Sequence, residues 1–93
     1  MASELIEAIR ASDVKAAREA IASGAKLNEL QDGLAPLHWA IYRGDFEMVK
    51  LLLESGANPN VQTLSGDSPL WHAEDDFGLT EIAELLKSYG AAK

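Results

Sequence analysis

The chain has 93 residues, 47% of them hydrophobic, and a formal net charge of −7. This length and apolar content suit one folded domain and exclude a disordered segment. The longest purely apolar run is the four residues Trp39-Ala40-Ile41-Tyr42, far short of the roughly 20 that a membrane span needs, and the lack of cysteine excludes disulfides and thiolate metal sites.

In chain order, Leu5-Ile6-x-Ala8-Ile9 predicts a short helix over 4–11. Ser12-Asp13 breaks it, and Asp13 can cap a second helix over 13–22, whose apolar face is Val14, Ala17, Ala20 and Ile21. After Ser23-Gly24-Ala25, Leu37, Ala40 and Ile41 predict a helix over 36–43. Gly44-Asp45 is the next break and cap, and Phe46, Val49, Leu52 and Leu53 mark a helix over 46–54. Leu70 and Ala73 predict a helix over 69–75. Gly78 ends it, Thr80 is the expected cap, and Leu79, Ile82, Leu85 and Leu86 mark the last helix, over 80–89. Leu37, Ile41, Val49, Leu52, Leu53, Leu70, Ile82, Leu85 and Leu86 are the expected core.

This succession is a repeat. Ser23-Gly24-Ala25 recurs 32 residues later as Ser55-Gly56-Ala57 and after a further 34 as Tyr89-Gly90-Ala91. A small residue stands at the same place in each first helix, at Ala8, Ala40 and Ala73, where it lets neighbouring helices approach closely. Each helix pair is too short to bury its own apolar stripe, so the pairs must stack, and about three are the minimum for a stable array. The expected organisation is a single all-α domain over 1–93, with units at about 1–31, 32–64 and 65–93.

The middle unit carries the run Asp32-Gly33-Leu34-Ala35-Pro36-Leu37-His38-Trp39-Ala40, and then Gly44-Asp45 through Gly56-Ala57-Asn58-Pro59-Asn60. This run resembles the ankyrin-repeat family, with its Gly-x-Thr-Pro-Leu-His-x-Ala signature and its Gly-Ala-x-x-Asn exit. With the other units in register, the resemblance covers nearly the whole chain. It implies a solenoid of three helix–turn–helix units joined by short hairpin-like loops, and a histidine, His38, that ties its helix start to the neighbouring loops. The chain departs from the pattern in places. The first unit lacks the Pro-Leu-His start, Trp71 stands where the third unit's histidine would be, and one extra residue precedes Gly78. Ala35 lacks the hydroxyl of the family's threonine, whereas Ser68 keeps one.

No catalytic motif is present, and no enzyme activity or cofactor is expected. The glycines are spaced as repeat punctuation and not as a phosphate loop, and the serines sit mostly at helix ends, where capping accounts for them. Ser68, His72 and Asp75 are near one another in the sequence but define no triad. His72, Glu74, Asp75 and Asp76 are the best metal candidates, but their spacing fits no metal signature, and a solvated acidic helix end with His72 packed on the stack accounts for them.

The resemblance further implies a concave binding face formed by the loop tips and the exposed side of each first helix. The matching positions are Gln31, Asp32, Leu34, Tyr42 and Arg43 in the middle unit and Leu64, Ser65, Asp67, Asp75, Asp76 and Phe77 in the third. Glu7, Arg10 and Ala11 extend the strip into the first unit. Aromatic side chains beside charged ones are typical of protein-binding hot spots. Tyr42 and Phe77 are expected to be exposed, whereas Trp39 and Trp71 can either line the face or fill space between units.

Charge narrows the partner. Residues 1–31 hold four Lys/Arg against five Asp/Glu, residues 32–64 two against four, and residues 65–93 two against six. Such a surface repels phosphate backbones and favours a protein with a basic surface. The reading is a non-catalytic protein-binding module, cytoplasmic because no secretory leader is visible at Met1-Ala2-Ser3-Glu4. It is expected to be a monomer. The alternatives are a minimal or engineered scaffold without a natural partner, against which the irregular repeats argue, and self-association through the third unit.

Overall fold

The computed structural model describes residues 4–76 and 78–92, without the side chain of Asp76. Among the described residues six helices succeed one another: α1 (Glu4–Arg10), α2 (Val14–Ala22), α3 (Pro36–Tyr42), α4 (Phe46–Glu54), α5 (Pro69–Trp71), which runs on as a π-helical turn over His72–Asp76, and α6 (Thr80–Ser88). Each stands where the apolar pattern predicts it. They form an all-α solenoid of three units in two layers, with α1, α3 and α5 side by side in one and α2, α4 and α6 in the other. The stack measures 31 × 24 × 20 Å.

The turn within each unit has a local cause. Asp13 accepts a hydrogen bond from the Ala16 N–H at 3.0 Å, and Asp45 accepts one from Met48 at 3.2 Å. Each satisfies a backbone donor that the next helix leaves unpaired. The cap residues also tie back to the small alanine of the preceding helix: the Asp13 N–H donates to the Ala8 carbonyl at 2.9 Å, and the Asp45 N–H to the Ala40 carbonyl at 3.2 Å. In the third unit the Leu79 N–H makes the same tie to Ala73, at 2.6 Å, across one more residue. The π-helical turn absorbs that extra residue, as single-residue insertions in helices commonly do.

This register overturns one expectation. Leu79, not Thr80, occupies the N-cap of α6, and no side chain caps that helix. Leu79 stands where Asp13 and Asp45 stand in the other units, and it packs half-buried against the core. An apolar contact thus replaces a polar cap.

Of the expected core, every residue is buried except Leu85, which is half-buried. Ala8, Ala40 and Ala73 are buried as well, which is what close helix approach requires. Met48 and Leu51 are also buried, beyond the expected face of α4. α4 lies between α2 and α6, so it must present apolar side chains on two sides where a terminal helix presents them on one. Burying one such side chain contributes about 1.5–3 kcal/mol, so the middle unit carries the largest share of the hydrophobic stabilisation.

The loops are stitched by a repeated asparagine. Asn28 Oδ1 accepts the Asn58 N–H at 2.8 Å, and Asn60 Oδ1 accepts the Ala92 N–H at 2.8 Å. Asn60 also donates through Nδ2 to the Gly90 carbonyl at 3.1 Å. Each asparagine thus fastens its own unit's exit to the next.

Candidate functional site: a concave groove between the first two units

A concavity of about 540 Å³ lies on the inner layer between α1 and α3. Glu7, Arg10 and Ala11 line one side and Trp39, Tyr42 and Arg43 the other. These are the same three repeat positions taken from two adjacent units, since Glu7 aligns with Trp39, Arg10 with Tyr42 and Ala11 with Arg43. The repeat therefore builds the groove. Ala8 and Ala40, which directly follow Glu7 and Trp39, are buried and small, which draws the two helices together beneath it. The Arg10 guanidinium lies 5.8 Å from the centroid of the Trp39 ring, a cation–π distance. Trp39 is half-buried as the floor, and Tyr42 is 40% exposed at the rim, as expected.

The loop tips form the next part of the expected face. Gln31 and Leu34 exchange backbone hydrogen bonds of 2.8 and 3.1 Å around Asp32-Gly33. Both turn residues have positive φ, +55° and +81°, the geometry that makes Asp-Gly a favoured two-residue hairpin loop. Asp32 is exposed, while Gln31 and Leu34 are half-buried. The Leu64 N–H donates to the Gly33 carbonyl at 2.9 Å, joining the tips of the second and third units, and the Leu64 side chain stands 82% exposed above them. Ser65 is exposed. Asp67 is half-buried and held in the loop, where its N–H donates to Thr63 Oγ1 at 3.1 Å.

The acidic end of the strip goes elsewhere. Asp75 aligns with Tyr42 in the repeat, yet it lines a separate hollow of about 380 Å³ with Glu74, Thr80, Ala83, Glu84 and Lys87, at the far side of the third unit. The π-helical turn re-aims it: one extra residue in a helix rotates the next side chains by about 100° around the axis. Glu74 is ion-paired there with Lys87 at 2.7 Å. Phe77 and the side chain of Asp76 lie outside the described residues.

Behind the face is an aromatic stack that joins the second and third units. His72 is buried, with its ring edge-on to His38 at 5.8 Å, to Tyr42 at 5.1 Å and to Trp71 at 5.1 Å. The Tyr42 hydroxyl lies 3.4 Å from His72 Nε2. His72 thus packs on the stack, and Trp71, 39% exposed, covers it. Among the described residues no group of three His, Asp or Glu side chains is arranged to hold a metal ion.

His38 is fully buried, and its Nδ1 accepts the Ala35 N–H at 3.1 Å. Ala35 has no hydroxyl to return the bond, whereas Ser68 accepts the Trp71 N–H at 3.1 Å in the same position of the third unit. His38 Nε2 reaches no acceptor at hydrogen-bond distance among the described residues, although the carbonyls of Asp67 and Val61 weakly favour its proton. Burial, and after it the neighbouring His72, lowers the His38 pKa from 6.5 to about 4, so the ring is neutral near pH 7.

Sequence reasoning missed the role of Trp39 as the floor under Arg10. The signal was available in the alignment of Glu7 with Trp39 and of Arg10 with Tyr42. Side-chain reach across two helices, which alignment does not carry, is what brings Arg10 onto the ring.

A family model described as ankyrin repeats in three copies matches residues 5–93. Ankyrin repeat and SOCS box protein 16 of Homo sapiens is 46% identical over 75 residues, covering 81% of this chain and 16% of that protein. BRCA1-associated RING domain protein 1 of Caenorhabditis elegans is 34% identical over 88 residues, or 95% of this chain and 12% of that protein. A solved structure of the Legionella effector AnkH matches with a TM-score of 0.88 at 37% identity, over 95% of this chain and 19% of that one. The chain therefore spans less than a fifth of the length of each of these proteins. Among the described residues, no helix is long and apolar enough to cross a membrane.

Proposed function

Because this chain belongs to the ankyrin-repeat family, whose repeats mediate protein–protein interaction, we propose that it is a non-catalytic module that holds a protein partner on its concave face. The three units, about 1–31, 32–64 and 65–93, act as one domain in this reading. The observation that carries it is the groove in which the Arg10 guanidinium lies over the Trp39 ring with Tyr42 and Arg43 on the rim. Exposed aromatic and arginine side chains on a rigid concave surface are what protein hot spots are made of. The contact surface continues over Gln31, Asp32, Leu34, Leu64, Ser65 and Asp67. The acidic third unit favours a basic patch on the part of the partner that faces it. A cytoplasmic setting, suggested by the cysteine-free sequence, belongs to the same proposal.

The test is parallel affinity capture with the wild-type domain and with Tyr42→Ala/Leu64→Ala, two exposed positions outside the hydrophobic core. Circular dichroism first establishes that both are folded. A protein retained by the wild type and lost by the variant supports the reading. A partner that binds both equally puts the interface on another face and overturns it.

A further inference from the structure

We propose that the groove between the first two units receives an acidic segment of the partner, with carboxylates of aspartate or glutamate paired to Arg10 and Arg43. The proposal rests on the binding-module reading and names the chemistry of its occupant. The whole chain carries −7, which by itself points to basic partners. The groove has the opposite balance: two arginines against one acid, Glu7.

Neither guanidinium is ion-paired among the described residues, unlike Lys26, which pairs with Glu29, and Lys87, which pairs with Glu74. The Arg10 guanidinium carbon lies over the Trp39 ring, 5.8 Å from its centroid, and the planar group presents its N–H donors as a fixed fork. A carboxylate can take two parallel hydrogen bonds from such a fork. The rings of Trp39 and Tyr42 then offer apolar surface to the residues beside the carboxylate.

The surplus of acids does not cancel this. It is concentrated in residues 65–93, with six acids against two bases, and Glu74 and Asp75 face the far side of the third unit. At physiological salt, charges more than about 8 Å apart are largely screened. The groove therefore acts on what touches it.

The experiment is selection from a library of short random peptides displayed on phage, against the folded wild-type domain. Counter-screens use Arg10→Gln/Arg43→Gln and, separately, Tyr42→Ala. The expected result is enrichment of peptides rich in Asp and Glu that bind the double arginine variant roughly tenfold more weakly, as the loss of two exposed ion pairs implies. Glu7→Gln should bind the same peptides more tightly, because it removes the groove's one acid. Enriched peptides that are neutral or basic, or that bind the arginine variant as well as the wild type, overturn the proposal, as does a failure to enrich any peptide. Basic peptides that still lose binding to Tyr42→Ala would sink the acidic occupant and leave the concave binding face standing. A labelled oligothymidylate that binds through the same arginines more tightly than the acidic peptides would also overturn it, in favour of nucleic acid.

Discussion

Acid should loosen this fold through His38. The ring is fully buried and its pKa is lowered from 6.5 to about 4, chiefly by burial and then by His72. Hydrogen bonding adds a reason: Nδ1 accepts the Ala35 N–H, and a protonated imidazole has no lone pair with which to accept. Folding thus prefers the neutral ring. Since the folded pKa lies below the unfolded one, the unfolded chain binds the proton more readily, and stability falls as pH falls. The contribution is fully present above the unfolded value of 6.5 and is lost on the way down to about 4, below which the loss levels off. A gap of about 2.5 pH units at about 1.36 kcal/mol each comes to about 3 kcal/mol. That is a large part of the roughly 5–10 kcal/mol expected of a domain this size.

The assay is urea unfolding of the wild type and of His38→Gln, monitored by circular dichroism from about pH 7.5 to about pH 4.5. Glutamine can accept the Ala35 N–H and does not titrate. At neutral pH the wild type should be the more stable, and the difference should shrink by about 2.5 kcal/mol at the acid end. A difference that stays constant across the range would refute the reasoning, because it would mean that His38 titrates alike in both states.

The caps and loops give three further expected outcomes. Ser68→Ala should cost about 1 kcal/mol by removing the acceptor for the Trp71 N–H, and Ala35→Ser should gain up to about as much, both measured by urea unfolding. Gly33→Ala should destabilise by about 1–2 kcal/mol in thermal melts, because φ is +81° and the new Cβ would stand 3.2 Å from Leu64 Cβ. Asn60→Ala should speed amide exchange at Ala92 in particular, and lower global stability by about 1 kcal/mol, since it cuts the ties to Gly90 and Ala92.

Much of this was legible in the residues because it is local. The period of the apolar positions, Asp13 and Asp45 as caps and the three small alanines act within a few residues of chain, so spacing alone identifies them. The repeat extends that reach, because a unit recognised once predicts how its copies stack. Other features depend on which helix lies beside which. Met48 and Leu51 are buried because α4 has a neighbour on both sides, and Leu79 displaces Thr80 from the cap because it finds apolar surface to cover. The extra residue before Gly78 could be counted in advance. Its absorption in a π-helical turn, which aims Asp75 away from Tyr42 and seats His72 beneath it, comes from packing against α3 and α6. The charge of the groove is of the same kind. A net −7 is a sum over the chain, whereas the meeting of Arg10, Trp39 and Arg43 is made by side chains reaching across two helices, 33 residues apart for the two arginines.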